Sequence, residues 1–338
     1  MTEIVALSEV MREAVALAER VATTDANVLV TGESGAGKDA LAVFIHSRSP
    51  RALQPLVKID CATLPADLLE AELFGYERGA FTGATEAKPG RLEAAHRGTL
   101  VLNEIAHLTL DAQAKLLRVI ENREFERLGG RATIEVDARL IALANADLKD
   151  AVERRAFRGD LFYRLNVVQI LVPPLRDRGK DLAVLAGSFA RAYATRHGRA
   201  VRKLSAEAIQ LLSAYDFPGN VRELANIIER AVIVSAGDQI TSADLPDTLR
   251  TAARQRERKQ QQPTLAKVED DYIRETLLAT KGNKAEAARI LGISRKNLYE
   301  RLARMEKPEA GDQTSEVGEK AEVTNADNIE NERPTSDR

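Results

Sequence analysis

NVLVTGESGAGKDAL (residues 27–41) decides the fold. Val28, Leu29 and Val30 form a short apolar run. It breaks into Gly32, Glu33, Ser34, Gly35, Ala36, Gly37 and Lys38, and helix-compatible residues follow. Strand, glycine-rich loop and helix in that order make a phosphate loop: glycines let successive N–H groups converge on phosphate oxygens, and Lys38 reaches the outer phosphates from the first helical turn. Asp39 stands where most such loops carry a Ser or Thr for magnesium.

Working outward, the 338 residues are enough for two or three domains, and 44% hydrophobic with 30% charged residues are globular values. The sequence has no apolar run of membrane-spanning length and no leader pattern, so a cytoplasmic protein is expected. Cys61 is the only cysteine, which excludes an internal disulfide; VKIDCATL predicts a buried small side chain there, not a nucleophile. With a net charge of −2, any nucleic-acid role must rest on a local basic patch.

Upstream of the loop, apolar spacing predicts an amphipathic helix over 4–22, leaving no room for a sensor domain before it. Downstream, strands are expected at 55–59, 98–104 and 136–144, and helices at 40–47, 64–73 and 110–121. The strand in GTLVLNEI ends in Asn103 and Glu104. There a nucleotide hydrolase places its magnesium-ordering carboxylate and the group that polarises water; Glu104 suits the second job, whereas Asn103 brings an amide oxygen without charge. Asn145 follows the next strand at the expected phosphate end of the sheet.

Gly79, Ala80, Phe81, Thr82, Gly83 and Ala84 surround one aromatic with small residues: poor core, poor helix, and a good exposed tip for pressing on a partner. Arg158 and Arg164, in FRGDLFYRLN, suit either surface salt bridges or arginine fingers offered to a neighbouring subunit's nucleotide. After Pro173 and Pro174, helices at 182–196, 205–214 and 221–234 with no strand among them predict a small helical lobe. Its PGN turn places Arg222 within reach of a nucleotide. Residues 250–263 read as a solvated linker.

A helix at 265–279, with Val268, Tyr272, Ile273 and Leu277 inward, precedes a helix–glycine turn–helix at 284–305 capped by Ser294. That is a helix-turn-helix whose second helix offers Arg295, Lys296, Asn297, Tyr299 and Arg301 to phosphates and base edges. Residues 307–338 read as an acidic disordered tail.

Together GESGAGKD, ELFGYERGAFTGA, GTLVLNEI, FRGDLFYRLNVV, PPLRDR and FPGNVREL resemble the blocks of one family, the sigma-54-dependent bacterial transcription activators, in that family's order. GNKAEAARILGISRKNLYERL is similar to its Fis-type DNA-binding domain. The resemblance implies an α/β AAA+ fold over 1–172, a helical lid over 173–249, a linker over 250–263 and a DNA-binding domain over 264–306. It also implies ATP and Mg2+ as cofactors, and a ring, typically a hexamer, in which Arg158 and Arg164 complete the next subunit's site. GAFTGA is implied to engage the sigma-54 factor of RNA polymerase holoenzyme. Asn145 matches the sensor I position and Arg222 the sensor II position.

Four positions depart from the pattern. Asn103 replaces the Walker B Asp, and Asp60 stands where the family commonly has an Asn that holds the catalytic Glu in check. Ala144 replaces the sensor I threonine and Phe217 a tryptophan. The first two are expected on adjacent strands, where Asp60 would return negative charge to the magnesium site. The leading reading is an activator that binds upstream DNA and uses ATP hydrolysis for promoter opening, controlled from elsewhere, by a separate inhibitory regulator or by expression level. The alternative is an ATP-binding, hydrolysis-poor partner subunit of a hetero-oligomer. A processive unwinding or unfolding motor has no support in these motifs.

Overall fold

The structure, a computed structural model, describes residues 4–145, 147–200, 203–261, 265–280 and 282–305. It divides into two compact units, 1–259 and 260–338.

In the first unit, strands β1 (Val28–Thr31), β2 (Leu56–Asp60), β5 (Thr99–Asn103), β8 (Arg139–Ala144) and β9 (Val168–Leu171) form a parallel sheet in the order β2-β5-β8-β1-β9. Alternation along these strands feeds two cores. Leu29, Leu100, Leu102, Leu140 and Ala142 face one side; Val28, Val30, Val101, Ile141 and Leu143 face the other. Burial on both faces explains why the strands read as continuous apolar runs. Helices α1 (Glu9–Ala22) and α2 (Lys38–Ser47) cover the second face. The first is covered by α3 (Ala66–Phe74), α4 (Arg91–Ala94), α5 (Leu110–Asn122), α6 (Leu148–Glu153) and α7 (Gly159–Leu165). The N-terminal helix is five residues shorter than its apolar spacing predicts. It starts after Ser8 because Asp181 Oδ1 accepts from Leu7 N (2.6 Å) and Ser8 N (2.8 Å), while Ser8 Oγ donates to Asp181 Oδ2 (2.9 Å). At its other end, buried Arg139 donates to the carbonyls of Val21 (2.8 Å) and Ala22 (2.9 Å), among the last carbonyls of a helix with no intrahelical partner.

Two hairpins project from this layer: β3 (Gly75–Tyr76) with β4 (Lys88–Pro89), and β6 (Glu124–Glu126) with β7 (Thr133–Glu135). The second hairpin shortens the strand expected at 136–144, which begins only at Arg139.

The lobe after Pro174 contains α8 (Gly179–His197), α9 (Ala206–Ser213), α10 (Asn220–Val234) and α11 (Asp247–Gln261). It is not strand-free: β10 (Lys203–Leu204) pairs in parallel with β11 (Gln239–Ile240), each too short to show a two-residue period. Nor does the chain become a linker at 250, since the helix runs to Gln261. RTAARQRERKQQ has neither Gly nor Pro, its Arg, Gln, Lys and Ala are strong helix formers, and Leu249 and Ala253 anchor the start by burial.

The second unit holds α12 (Leu265–Ala279), α13 (Lys284–Ile290) and α14 (Arg295–Met305) around Ile273, Ala287, Ala288 and Leu298. Tyr272, expected inward, is 56% exposed, because Ile273 and Leu277 already fill this small core. The expected acidic tail lies outside the described residues.

Candidate functional site

Gly32, Gly35 and Gly37 adopt φ values of 145°, 73° and 108°, which L side chains rarely take. At two of them packing adds a second reason: a Cβ on Gly32 would meet Val172 O at 2.5 Å, and one on Gly35 would meet Gly219 O at 2.4 Å. Every carbonyl from Gly32 to Ala36 is engaged. Lys38 Nζ donates to those of Gly32 (2.8 Å) and Glu33 (3.1 Å), Asn220 Nδ2 to Ser34 O (3.1 Å), Val221 N to Gly35 O (3.0 Å), and Arg178 to Ala36 O (2.6 Å). Apart from Ala36 N, which donates to Glu33 O, the loop's remaining backbone capacity is N–H, which suits an anion.

The side chains follow the same division. Glu33 takes a bidentate pair from Arg176 (2.9 and 2.6 Å) and a bond from Asn220 (3.0 Å), which hold its carboxyl down at about 2. Arg222 donates to Ser34 Oγ at 3.2 Å, so the expected sensor II arginine does meet the loop. Asn220 is buried at φ 52°, with Gly219 as the N-cap of α10, and it spans the lid and the loop.

A cleft of about 280 Å³ is lined by Ser34, Gly35, Gly37, Lys38, Asp39 and Ala40 from the loop, Asn103 and Glu104 from the end of β5, and Phe189, Val221, Arg222 and Ala225 from the lid. Burial pushes the Lys38 ammonium down, while the carboxylates of Glu104 and Asp39 oppose that shift. Glu104 sits at φ 54°, and its buried Oε2 has no hydrogen-bond partner. On the parallel neighbour strand, Asp60 pairs in register with Asn103. Among the described residues no group of three or more His, Cys, Asp or Glu could cage a metal ion. The donor set nonetheless fits Mg2+, which binds through one or two carboxylates plus substrate phosphates and keeps several waters. Asn145 lines a separate cleft of about 460 Å³ with Gly32, Glu33, Asp147 and Arg176, and not the cleft lined by Lys38. Cys61 is buried, and desolvation pushes its thiol up to about 12, as expected for an inert side chain.

Arg158 and Arg164 line neither cleft. Arg158 pairs with Asp160 (2.8 Å) and Arg164 with Glu121 (3.0 Å), both on exposed surface. At the 79–84 loop, Gly79 and Gly83 take φ 82° and 104° with open space around their Cβ positions, and Phe81 is 41% exposed beside Tyr76, with ring centroids 5.0 Å apart. The stem below is fixed. Arg127 holds Glu93 through two bonds (2.9 and 2.7 Å) and Glu77 through one (3.0 Å), and Leu128 exchanges backbone bonds with Gly75 and Glu77.

In the second unit, Ser294 Oγ caps α14 by accepting from Asn297 N, and Leu298 turns inward. Arg295, Lys296, Asn297 and Tyr299 are exposed. Arg301 bonds Asn297 and pairs with Glu269, which fits a brace for the helix better than a free donor.

Residues 4–171 match the sigma-54 interaction domain, 176–262 the AAA+ ATPase lid domain and 264–305 the Fis family of bacterial regulatory proteins. The transcriptional regulatory protein FlbD of Caulobacter vibrioides is 42% identical over 308 residues, covering 86% of this chain and 68% of FlbD. The chain belongs to the sigma-54-dependent transcription activators. The regulatory protein AtoC of Escherichia coli is 45% identical over 291 residues, 84% of this chain and 63% of AtoC. This activator chain thus spans about three fifths of the length of the first curated relatives it matches. The crystal structure of NtrX from Brucella abortus in complex with ATP superposes with a TM-score of 0.69 at 32% identity, covering 90% of this chain and 69% of that one. The AAA+ fold expected from the sequence is therefore present. Among the described residues no helix is long and apolar enough to cross a membrane.

The sequence reading missed Arg176, Arg178 and Asn220 as partners of the phosphate loop, and Arg127 and Glu93 as a clamp. The first two sit in PPLRDR, whose paired arginines directly after two prolines were the available signal.

Proposed function

We propose that this chain is an ATP-hydrolysing activator that binds DNA upstream of a promoter and remodels sigma-54 polymerase holoenzyme. ATP lies against residues 32–39, with Lys38 and Arg222 on its phosphates. Glu104 takes the proton of, and orients, the attacking water. Asn103 and, behind it, Asp60 would hold Mg2+ through its waters, and the ion would neutralise phosphate charge. Arg158 and Arg164 act on a neighbour's nucleotide in a homo-oligomeric ring of the hexameric kind, a reading supported by their exposed positions outside the two clefts described above. Asn145 senses the nucleotide state from the adjoining cleft. The 79–84 tip, riding on its clamped stem, carries the resulting motion to sigma-54, and Arg295, Lys296, Asn297 and Tyr299 contact DNA. The observation that carries the reading is the unpartnered Glu104 Oε2 in the same cleft as Lys38.

The alternative, a nucleotide-binding subunit with poor hydrolysis, rests on Asn103. Preformed closed complexes of sigma-54 holoenzyme separate the two. Opening should require hydrolysable ATP, and Phe81→Ala should hydrolyse ATP without opening the promoter. Opening by Phe81→Ala at the wild-type rate would overturn the role of the tip, and failure of the wild type to open any closed complex while binding ATP would favour the alternative.

A further inference from the structure

The register of β2 and β5 sets Asp60 beside Asn103, and the contact is specific. Asn103 Nδ2 donates to Asp60 Oδ2 at 3.0 Å, and Asp60 Oδ1 accepts from Ala62 N at 3.0 Å. Cys61 N donates to Asn103 O at 2.9 Å, so the backbone between the two side chains is fixed as well. An ionised carboxylate can only accept. The pair therefore works in one orientation, with the amide nitrogen toward Asp60 and the amide oxygen turned away from it. Glu104, the next residue, has a buried carboxylate oxygen without a donor; Asp60 offers no proton, and one Asn103 amide hydrogen is committed to Asp60.

We infer that Asp60 and Asn103 act across the two strands as one working pair. Asp60 is a positioning residue: it locks the Asn103 amide so that its oxygen serves the hydrated cation of a bound nucleotide, and it supplies from behind the charge that Asn103 lacks. With an acceptor at position 60, β2 offers Glu104 Oε2 no side-chain donor there. This rests on the reading of the cleft as an ATP site and deepens it. The consequence is counter-intuitive. Asn103→Asp, which adds a carboxylate beside the cation, damages this chain, because it sets two carboxylates on one 3.0 Å contact. Only the reciprocal exchange, Asp60→Asn with Asn103→Asp, rebuilds a donor–acceptor pair, with its polarity reversed.

The test is a double-mutant cycle on the full chain with three readouts: the thermal midpoint of nucleotide-free protein in EDTA, the gain in ATP affinity on adding Mg2+, and turnover. Asn103→Asp should lower the nucleotide-free midpoint by at least about 3 °C. Asp60→Asn should keep that midpoint, since two amides can still pair, but lose about tenfold or more of the Mg2+-dependent gain, the usual cost of removing an outer-shell partner. ATP affinity in EDTA should not move, which a merely structural role for Asp60 would not predict. The double exchange should return both quantities to within about threefold or a degree of wild type. A higher Mg2+ gain or faster turnover in Asn103→Asp alone would overturn the inference, as would an unchanged Mg2+ gain in Asp60→Asn or simple summation in the double exchange. Wild-type protein that binds Mg2+-ATP without turnover would defeat the hydrolytic reading but leave the pairing decided by the first two readouts. Wild-type protein that binds no ATP would defeat both.

Discussion

The two glycine-rich loops, 32–38 and 79–84, use similar residues and are held in opposite ways. In the first, glycine is needed because backbone crowds in: Val172 O and Gly219 O occupy the space a Cβ would take, and five successive carbonyls are engaged by Lys38 and by lid residues. In the second, Gly79 and Gly83 face open space, and the order lies below them, in Arg127 and its two carboxylates. The first loop is preorganised to receive a charged ligand without reorganisation. The second is a free tip on a rigid stem, suited to delivering a displacement. Lid contacts to Ser34, Gly35 and Ala36 tie the loop to α10 and to the segment before α8, the direct route by which the proposed nucleotide would act on the lid.

The comparison breaks most sharply at Gly35. Gly35→Ala adds a 2.4 Å clash with backbone to an unfavourable φ, and should cost at least about 3 kcal/mol and abolish ATP binding. Gly83→Ala meets nothing and should cost only about 1–2 kcal/mol of local strain, with ATP turnover kept. Thermal denaturation and ATP titration of both variants check this; equal effects would erase the distinction. Arg127→Ala sharpens the stem: it should destabilise the chain by about 1–2 kcal/mol and uncouple hydrolysis from promoter opening while turnover persists.

The smallest effect belongs to Glu33. Its carboxyl is held at about 2 in the folded chain, first by Arg176 and then by Asn220, against an ordinary value of 4.5. A depressed carboxylate contributes stability that is fully present above about pH 4.5 and is lost as pH falls toward about 2. Because the pair is exposed, Glu33→Gln should cost under about 1 kcal/mol at neutral pH, and its difference from wild type should close across that acid window. A gap that stays constant from pH 6 to pH 3 would show that the ion pair contributes nothing.

Much of the first loop was legible because its signals are local: strand, glycines, lysine and helix lie within fifteen residues. The helix-turn-helix was legible for the same reason, from Gly292 as turn and Ser294 as cap; the Asn283 cap of the first helix went unread. What stayed hidden depends on distance in sequence. Asn220 meets Glu33 across 187 residues and Arg178 meets Ala36 across 142, and no periodicity announces either. The pairing of Lys203–Leu204 with Gln239–Ile240 involves two residues per strand, below the length at which alternation can be read. Helix α11 was missed for a different reason: without an apolar stripe its charged face resembles a linker, and its helix propensity and the buried Leu249 and Ala253 are what speak for order.

Glu104 is where the account is most exposed, since the proposed hydrolysis rests on its buried, unpartnered Oε2. The most direct test is steady-state ATP hydrolysis by the purified chain across a range of protein concentrations, beside Glu104→Gln. Turnover that climbs steeply with concentration and vanishes in Glu104→Gln is the predicted result. ATP bound with no turnover at any concentration, or turnover that survives Glu104→Gln, would contradict it.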